Sequence, residues 1–164
     1  MLVYEDIFSG DELLSDAYPH TFSDDGVLIQ AEGSIREFEG TDLLTTPEQI
    51  EDAQANGACE YKMDISTQME LQKMELDKKG FQGYIKRYMK QTMAKLETTK
   101  PERVEIFKKG AIEFINKVLK DFKSFEFYLG QSCDLEGGMV FVEWYADNDC
   151  HVFCFLDGLK AVKC

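Results

Sequence analysis

Cysteine and histidine supply the side chains of this sequence that come nearest to a catalytic pair. Cys150 and His151 are adjacent, which makes them a candidate thiol nucleophile and imidazole base. Neighbours along a strand point to opposite faces, so we expect the imidazole not to reach the thiol. The chain also has no Gly-x-Ser-x-Gly, Gly-Lys-Ser/Thr or His-Glu-x-x-His motif. These observations predict a protein that is not an enzyme.

The cysteines favour reduced thiols over disulfides. The chain has 5 of them, an odd number without regular spacing. Cys150 and Cys154 share one face of a predicted strand, but their Cα atoms would lie roughly 13 Å apart, too far for a disulfide or a shared metal. We expect both thiols to be packed in the interior. The pattern also favours a protein of the reducing cytosol.

Charge is distributed unevenly along the 164 residues, whose net charge is −13. Residues 1–75 hold 18 acids and 3 bases, residues 76–125 hold 6 acids and 13 bases, and residues 126–164 hold 7 acids and 2 bases. A basic segment on an acidic body attracts acidic partners in a salt-dependent way. Equally, its bases could solvate an outer helix face and pair with the body's own acids. The net charge and the lack of a recognition motif argue against a nucleic-acid partner.

The basic segment carries two helical patterns. Apolar residues recur every three or four positions from Phe81 to Leu96 and again from Val104 to Phe122, which predicts an amphipathic helix in each. Pro101 suits the first turn of the second helix, because its missing N–H would have no partner there. The spacing therefore predicts an antiparallel helical hairpin over residues 76–123.

Strand patterns occupy both sides of the hairpin. Short strands are predicted at 2–8, 17–22, 27–31 and 34–38, with a turn at Glu32-Gly33, and a longer strand leads from Tyr61 towards the hairpin. Three further strands follow at 125–129, 139–145 and 151–156. Residues 40–58 are polar and acidic without a period, which predicts a mobile loop. The chain is thus expected to be one α+β domain, a β-sheet body with a helical hairpin.

No part of the sequence predicts membrane insertion. An apolar run of roughly 18 residues would be needed for a span, and none approaches that length. Acidic residues interrupt the amino terminus, which argues against a signal peptide. We therefore expect a cytosolic protein.

A set of short motifs runs through the hairpin and the two ends of the chain. The run Tyr84-Ile85-Lys86-Arg87-Tyr88-Met89-Lys90 is followed by Pro101-Glu102-Arg103-Val104 and by an ending with Asp157-Gly158-Leu159 and Lys163-Cys164. The opening has Tyr4-Glu5-Asp6-Ile7 and then Asp11-Glu12-Leu13-Leu14-Ser15-Asp16. In these motifs the chain resembles the translationally controlled tumour protein family, over most of its length and most strongly from residue 81 onward. It departs from the family in the 40–58 loop, which lacks a Gly-Gly-Asn-Ala-Ser-like signature, and at Gln131, where Glu is usual.

The resemblance implies a fold and a set of partners. The fold is the β-tent, a bent mixed sheet with a projecting hairpin, shared with a chaperone of Rab-type GTPases. The implied functions are calcium binding, association with tubulin and microtubules, roles in growth and survival, and regulation of a small GTPase. Glu12 lies in the acidic bend expected after the first strand and matches the family's acidic residue at the contact with a Ras-like GTPase. Apart from the resemblance, it would be interpreted as an ordinary solvated turn carboxylate. Cys164 matches the terminal cysteine that links an otherwise monomeric protein into a dimer under oxidation.

Acidity and resemblance together support only weak calcium binding. Asp147 and Asp149 are the candidate ligands, but counting from Asp147 an EF-hand would need Gly at Val152 and Glu at Gly158. With a net charge of −13, diffuse association of counterions is an equally good interpretation of these acidic segments. No tightly bound cofactor is expected.

The sequence thus leads to two hypotheses. The first is a non-enzymatic cytosolic regulatory protein that binds calcium weakly and meets tubulin through the basic hairpin. The bases on its first helix that we assign to that contact are Lys86, Arg87, Lys90 and Lys95. The second is a guanine-nucleotide exchange factor or chaperone-like regulator of a small GTPase, acting through Glu12.

Overall fold

The computed structural model describes residues 2–39 and 59–163, and within them all side chains except those of 36–39 and 59–62. The predicted mobile loop at 40–58 and Cys164 lie outside the described residues. The described strands are β1 (Leu2–Asp6), β2 (Glu12–Ser15), β3 (His20–Phe22), β4 (Leu28–Glu39), β5 (Cys59–Met63), β6 (Gln72–Met74), β7 (Phe125–Leu129), β8 (Val140–Trp144), β9 (Asp149–Phe155) and β10 (Leu159–Lys163). The described α-helices are α1 (Asp64–Gln68), α2 (Lys78–Thr99) and α3 (Val104–Lys120).

Within the described residues the strands form two sheets. The small sheet has the order β10-β1-β2, and the large sheet has the order β3-β4-β9-β8-β7-β6, with β5 also paired to β4. Every ladder between these strands is antiparallel, so no parallel pair of the kind found in a mixed sheet occurs among them. The α+β class predicted from the sequence is confirmed.

The large sheet is buried on both faces because its central strands alternate two kinds of side chain. Phe141 and Phe153 pair across β8 and β9 and belong to one core cluster, whereas Val142 and Val152 pair beside them and belong to another. Side chains along a strand point alternately to the two faces, so each set faces its own layer. The sheet is therefore the middle of three layers.

The helical hairpin covers the phenylalanine face. Phe81 of α2 lies 5.2 Å from Phe127 between ring centroids, and Phe114 of α3 lies 5.2 Å from Phe141. Both helices and the tight turn between them confirm the sequence prediction, and a short 3₁₀ turn at Pro101–Arg103 makes the connection. The hairpin lies against the sheet through its buried stripe.

The small sheet covers the valine face. Leu13 and Leu14 of β2 are fully buried and cluster with Ile29, Val140 and Val152 of the large sheet. The acidic segment after β1 is therefore only in part a bend, since it continues into a buried strand. Strand β10 was not predicted from the sequence, because its residues Leu159–Lys163 are half-buried or exposed and do not alternate between apolar and polar.

The structure corrects the prediction of a turn at Glu32-Gly33. Both residues lie inside β4, a continuous strand that pairs with β9 from Leu28 to Ser34. A Cβ at Gly33 would lie 2.8 Å from the Sγ of Cys150, its partner in the ladder. Glycine is present here because the neighbouring strand leaves no room for a side chain, and not because the chain turns.

The prediction of one long strand after Tyr61 is likewise wrong. The chain instead forms β5, the short helix α1 and then β6. The buried carboxylate of Asp64 accepts hydrogen bonds from the N–H groups of Ser34 and Ile65, which ends the strand and begins the helix. Glu70 then adopts a φ of 55°, which redirects the chain into β6. In the described part of the chain no helix is long and apolar enough to span a membrane.

A close helix contact at Gly110 yields the first prediction. A Cβ on Gly110 of α3 would lie 2.7 Å from Val27 Cγ2, whereas a Cβ on Gly83 of α2 would have no atom within 4 Å. Gly110→Ala should lower the free energy of unfolding by about 1–3 kcal/mol through overpacking, despite the better helix propensity of alanine. Urea denaturation measures the change.

The matched control is Gly83→Ala, in the neighbouring helix. It should raise the free energy of unfolding by up to about 1 kcal/mol, because it changes helix propensity alone. Equal stabilisation by the two substitutions would show that α3 does not approach the Asp25–Val27 turn as closely as described.

Candidate functional site

The adjacent thiol and imidazole do not form a catalytic pair. Cys150 is fully buried, and burial raises its pKa to about 12, so the thiol stays protonated at neutral pH. His151 lies on the other face of β9, where its ring stacks on Tyr145 at 4.3 Å between centroids. Its nitrogens lie 3.4 Å from Glu32 Oε1 and 3.7 Å from Glu143 Oε1. The opposite-face prediction is confirmed, and His151 belongs to a surface network with carboxylates.

The second buried thiol is also inert. Cys154 is 1% exposed, and burial raises its pKa to about 12. Cys133 is the exposed cysteine among those whose side chains are described. The interior location predicted for Cys150 and Cys154 is confirmed.

The candidate calcium ligands lie in the turn between β8 and β9. Asp147 is in the turn and Asp149 is the first residue of β9, and both are exposed. The carbonyl of Asp149 accepts the backbone N–H of Tyr145, which closes the turn. Among the described residues, no group of three or more histidine, cysteine or acidic side chains is placed to hold a metal ion. The turn thus offers two separate carboxylates and no preorganised oxygen cage.

Glu12 is the first residue of β2 and is exposed, so it lies in a strand and not in the turn that the sequence suggested. Its partner across the ladder is Glu5 of β1, and Glu5 in turn pairs with Lys160 of β10. Like charges placed directly opposite in a sheet repel. Glu12 therefore forms the acidic outer edge of the small sheet.

The neighbour of Glu12 is tied to a distant loop. Asp11 Oδ2 accepts a 2.6 Å hydrogen bond from the Ser132 hydroxyl and a longer one from the Ser132 N–H. A Cβ on Gly130 would overlap the Asp11 side chain. The β1–β2 turn is thus fixed against the 130–138 loop, which joins β7 to β8, and this holds the start of β2 in place.

The four bases assigned to α2 do not have the same environment. Lys86, Lys90 and Lys95 are exposed and form no ion pair with another described residue. Arg87 is exposed as well, but its Nη2 donates a 2.6 Å hydrogen bond to the carbonyl of Leu135 and its guanidinium lies 6.0 Å from the Tyr84 ring. We call these four residues the basic surface of α2.

Helix α2 holds the same loop that binds Asp11. Besides Arg87, Gln91 Nε2 donates to the carbonyl of Glu136, and the Tyr84 hydroxyl donates a 2.6 Å bond to the carbonyl of Gly137. Three carbonyls that have no strand partner are thereby satisfied by one helix face. The loop bridges the two candidate contact regions, the basic surface of α2 on one side and the β1–β2 turn on the other.

Arg103, at the turn of the hairpin, forms a bidentate ion pair with Asp157. Its Nε and Nη2 donate to the two carboxylate oxygens of Asp157 at 3.0 and 2.9 Å, and its Nη1 donates to the carbonyl of Asp25 at 2.8 Å. The bidentate bond to Asp157 raises the pKa of Arg103 further. The sequence showed Arg103 only as part of a motif, because its partners lie 54 and 78 residues away in the chain.

The basic hairpin is partly neutralised by the body. Lys117 Nζ of α3 lies 3.4 Å from Glu143 Oε1 and 5.0 Å from the Phe153 ring centroid. Acids of the body therefore compensate the charges of Arg103 and Lys117. Among the described residues, they do not compensate the lysines of the basic surface of α2.

Known proteins share the sequence and the fold over the whole chain. A sequence model of the translationally controlled tumour protein family matches residues 1–160. A homolog from Saccharomyces cerevisiae is 40% identical over 152 residues, covering 90% of each chain, and one from Schizosaccharomyces pombe is 36% identical over 169 residues, covering 99% of each. Homolog 1 from Dictyostelium discoideum is 32% identical, with 99% of each chain covered.

A solved structure agrees with this. The translationally controlled tumour-associated protein of Schizosaccharomyces pombe superposes with a TM-score of 0.84 at 36% identity, covering 100% of both chains. The names of these relatives state no catalytic activity. From the match over the chain length and the shared fold, this chain belongs to the translationally controlled tumour protein family.

Proposed function

We propose that the chain is a non-enzymatic, cytosolic regulatory protein that binds tubulin in microtubules through the basic surface of α2. The observation that carries this proposal is the set of exposed lysines on α2 that pair with no described acid, on a protein whose net charge is −13. A local positive surface of this kind attracts acidic protein surfaces over a distance of about one Debye length. Microtubules are the partner that the resemblance implies, and growth and survival roles would follow from that regulation.

A second candidate function is the regulation of a small GTPase through Glu12. The specific observation is the placement of an exposed carboxylate opposite Glu5, at the edge of the small sheet. A cationic side chain from a partner would relieve that repulsion. The hydrogen bonds between Asp11 and Ser132 fix the position of the neighbouring turn, which favours recognition because little ordering is needed on binding.

Weak calcium binding completes the proposal. Hard cations bind tightly where several oxygens converge on one point. The exposed carboxylates of Asp147 and Asp149 instead attract calcium as two charges in a solvated turn.

Charge reversal on α2 is the test of microtubule binding. Changing Lys86, Arg87, Lys90 and Lys95 to Glu should weaken co-sedimentation with microtubules by at least about tenfold, because attraction becomes repulsion at every contact. Added salt should likewise weaken the binding of the unmodified protein to microtubules. Part of the effect of the Arg87 change will come from the freed 130–138 loop, so a variant that retains Arg87 is measured beside it.

The matched control reverses four bases elsewhere on the same hairpin, namely Lys108, Lys109, Lys120 and Lys123. It has the same total charge and should retain most of the binding. Equal losses of microtubule binding in the two variants would show that the attraction depends on net charge alone. The basic surface of α2 would then not be a specific contact.

The GTPase candidate predicts a separate effect. Glu12→Val should abolish any acceleration of nucleotide release from a Ras-like GTPase, measured with a fluorescent nucleotide, while microtubule binding and the urea midpoint stay close to their original values. Glu113→Val, an exposed acid on α3, is the control and should leave nucleotide release unchanged. The contact role is wrong if Glu12→Val unfolds the protein. It is also wrong if the variant accelerates nucleotide release from the GTPase as much as the unmodified chain does.

The calcium candidate predicts a low affinity. Titration calorimetry should give a dissociation constant on the order of millimolar, since no preformed cage is present in the β8–β9 turn. Asp147→Asn combined with Asp149→Asn should reduce binding by less than about threefold, because other acidic segments compete for the ion. A single site of micromolar affinity would contradict this prediction.

A further inference from the structure

An open cleft lies where the end of α2 meets the segment that joins β9 to β10. Its volume is about 340 Å³. Its apolar wall consists of Ile7, Leu96, Leu156 and Leu159. Leu96 is 4% exposed and belongs to the core, whereas the other three remain partly accessible. The cleft therefore presents apolar surface that the fold itself does not cover.

The charged lining of the cleft has two distinct parts. Arg103 and Asp157 form the bidentate ion pair described above, and their side chains are only 21% and 7% exposed. This pair is internally compensated and serves as a rigid wall. Because the guanidinium already binds Asp157 and the carbonyl of Asp25, it offers little further bonding to a ligand.

The remaining charges of the lining are the ammonium groups of Lys95 and Lys100. Both residues are exposed, and neither forms an ion pair with a described acid. Thr99 lies between them in the lining and donates its hydroxyl to the carbonyl of Lys95, within the last turn of α2. Two uncompensated cations thus flank an apolar recess with a hydrogen-bonded rim.

We propose that this cleft binds an acidic peptide segment of a protein partner, with one apolar side chain of the segment in the recess and its carboxylates beside Lys95 and Lys100. The proposal rests on the proposed function in one respect, since it names the kind of segment that the basic hairpin would recognise. Burial of an apolar anchor would supply affinity, and the flanking charges would supply orientation and a faster association rate.

The dimensions of the cleft favour a peptide anchor over other acidic ligands. Its volume is at the lower end of the range for small-molecule pockets, which is about 300–1,000 Å³. A phosphorylated ligand prefers an arginine fork or several backbone N–H groups, and here the arginine is already engaged. A single leucine-sized side chain with carboxylates on both sides matches one recess and two lysines.

The experiment titrates the full chain into a fluorescein-labelled peptide of sequence Glu-Glu-Leu-Glu-Glu and records fluorescence anisotropy. The same peptide with Ser in place of Leu should bind about tenfold more weakly, because its anchor buries almost no apolar surface. Lys95→Glu combined with Lys100→Glu should weaken binding of the Leu peptide by about tenfold or more. Both positions are exposed, so the urea midpoint should stay close to that of the unmodified chain.

The matched control is Lys120→Glu combined with Lys123→Glu, the same charge change at two exposed positions at and just after the end of α3, which line no part of the cleft. It should weaken peptide binding by less than about threefold, as an effect of the general field alone. Equal weakening by the two double variants, or equal binding of the Leu and Ser peptides, would overturn the proposal. Displacement of the peptide by phosphatidylserine vesicles at lower concentration than by unlabelled peptide would also overturn it, in favour of a lipid.

Microtubule co-sedimentation separates this inference from the proposed function. Peptide binding that depends on Lys95 and Lys100, in a chain that does not bind microtubules, supports the cleft and contradicts the tubulin proposal. Microtubule binding that survives Lys95→Glu with Lys100→Glu, together with no peptide binding, contradicts the cleft and leaves Lys86, Arg87 and Lys90 of the basic surface of α2 as the contact.

Discussion

Packing of phenylalanine rings between the helical hairpin and the large sheet is the constraint on which the rest of the structure depends. Phe114 contacts Phe125, Phe141, Phe153 and Phe155, with ring centroids 5.1–6.2 Å apart, and most of these pairs meet edge to face. Such pairs bury large apolar areas and fix the relative orientation of the rings. Once this face of α2 and α3 is buried, the polar residues of both helices must lie on the outside. The basic surface of α2 is therefore a consequence of core packing.

The cations of the hairpin divide into those that hold the fold and those that remain available. Arg103 joins the hairpin turn to Asp157 and to the carbonyl of Asp25, and Arg87 supports the 130–138 loop through Leu135. Arginine suits these positions because its planar fork makes several directed hydrogen bonds at once. The lysines of α2 make no such bonds within the described residues, and they are the charges that we assign to partners.

The helices could be predicted from the sequence because a stripe with a period of 3.6 residues is a local signal, and the central strands were recognisable from their aromatic and β-branched residues. Other features depend on contacts between distant residues. Gly33 resembled a turn residue, although glycine is needed there because Cys150 of the neighbouring strand approaches closely. Glu12 resembled a turn carboxylate, although the pairing of β2 with β1 places it in a strand opposite Glu5. The supporting role of Arg87 was not predictable, because Leu135 lies 48 residues away and the bond goes to a carbonyl, which every residue has.

Lysine footprinting tests the central claim most directly, that the basic surface of α2 is a contact surface left exposed by aromatic packing. The chain is treated with an amine-reactive reagent, free and with microtubules, and the modified lysines are quantified by mass spectrometry. The account predicts that Lys86, Lys90 and Lys95 react readily in the free chain and are protected several-fold by microtubules, while Lys108 and Lys109 of α3 react equally in both states. Protection of the α3 lysines with continued labelling of those on α2 would contradict the account.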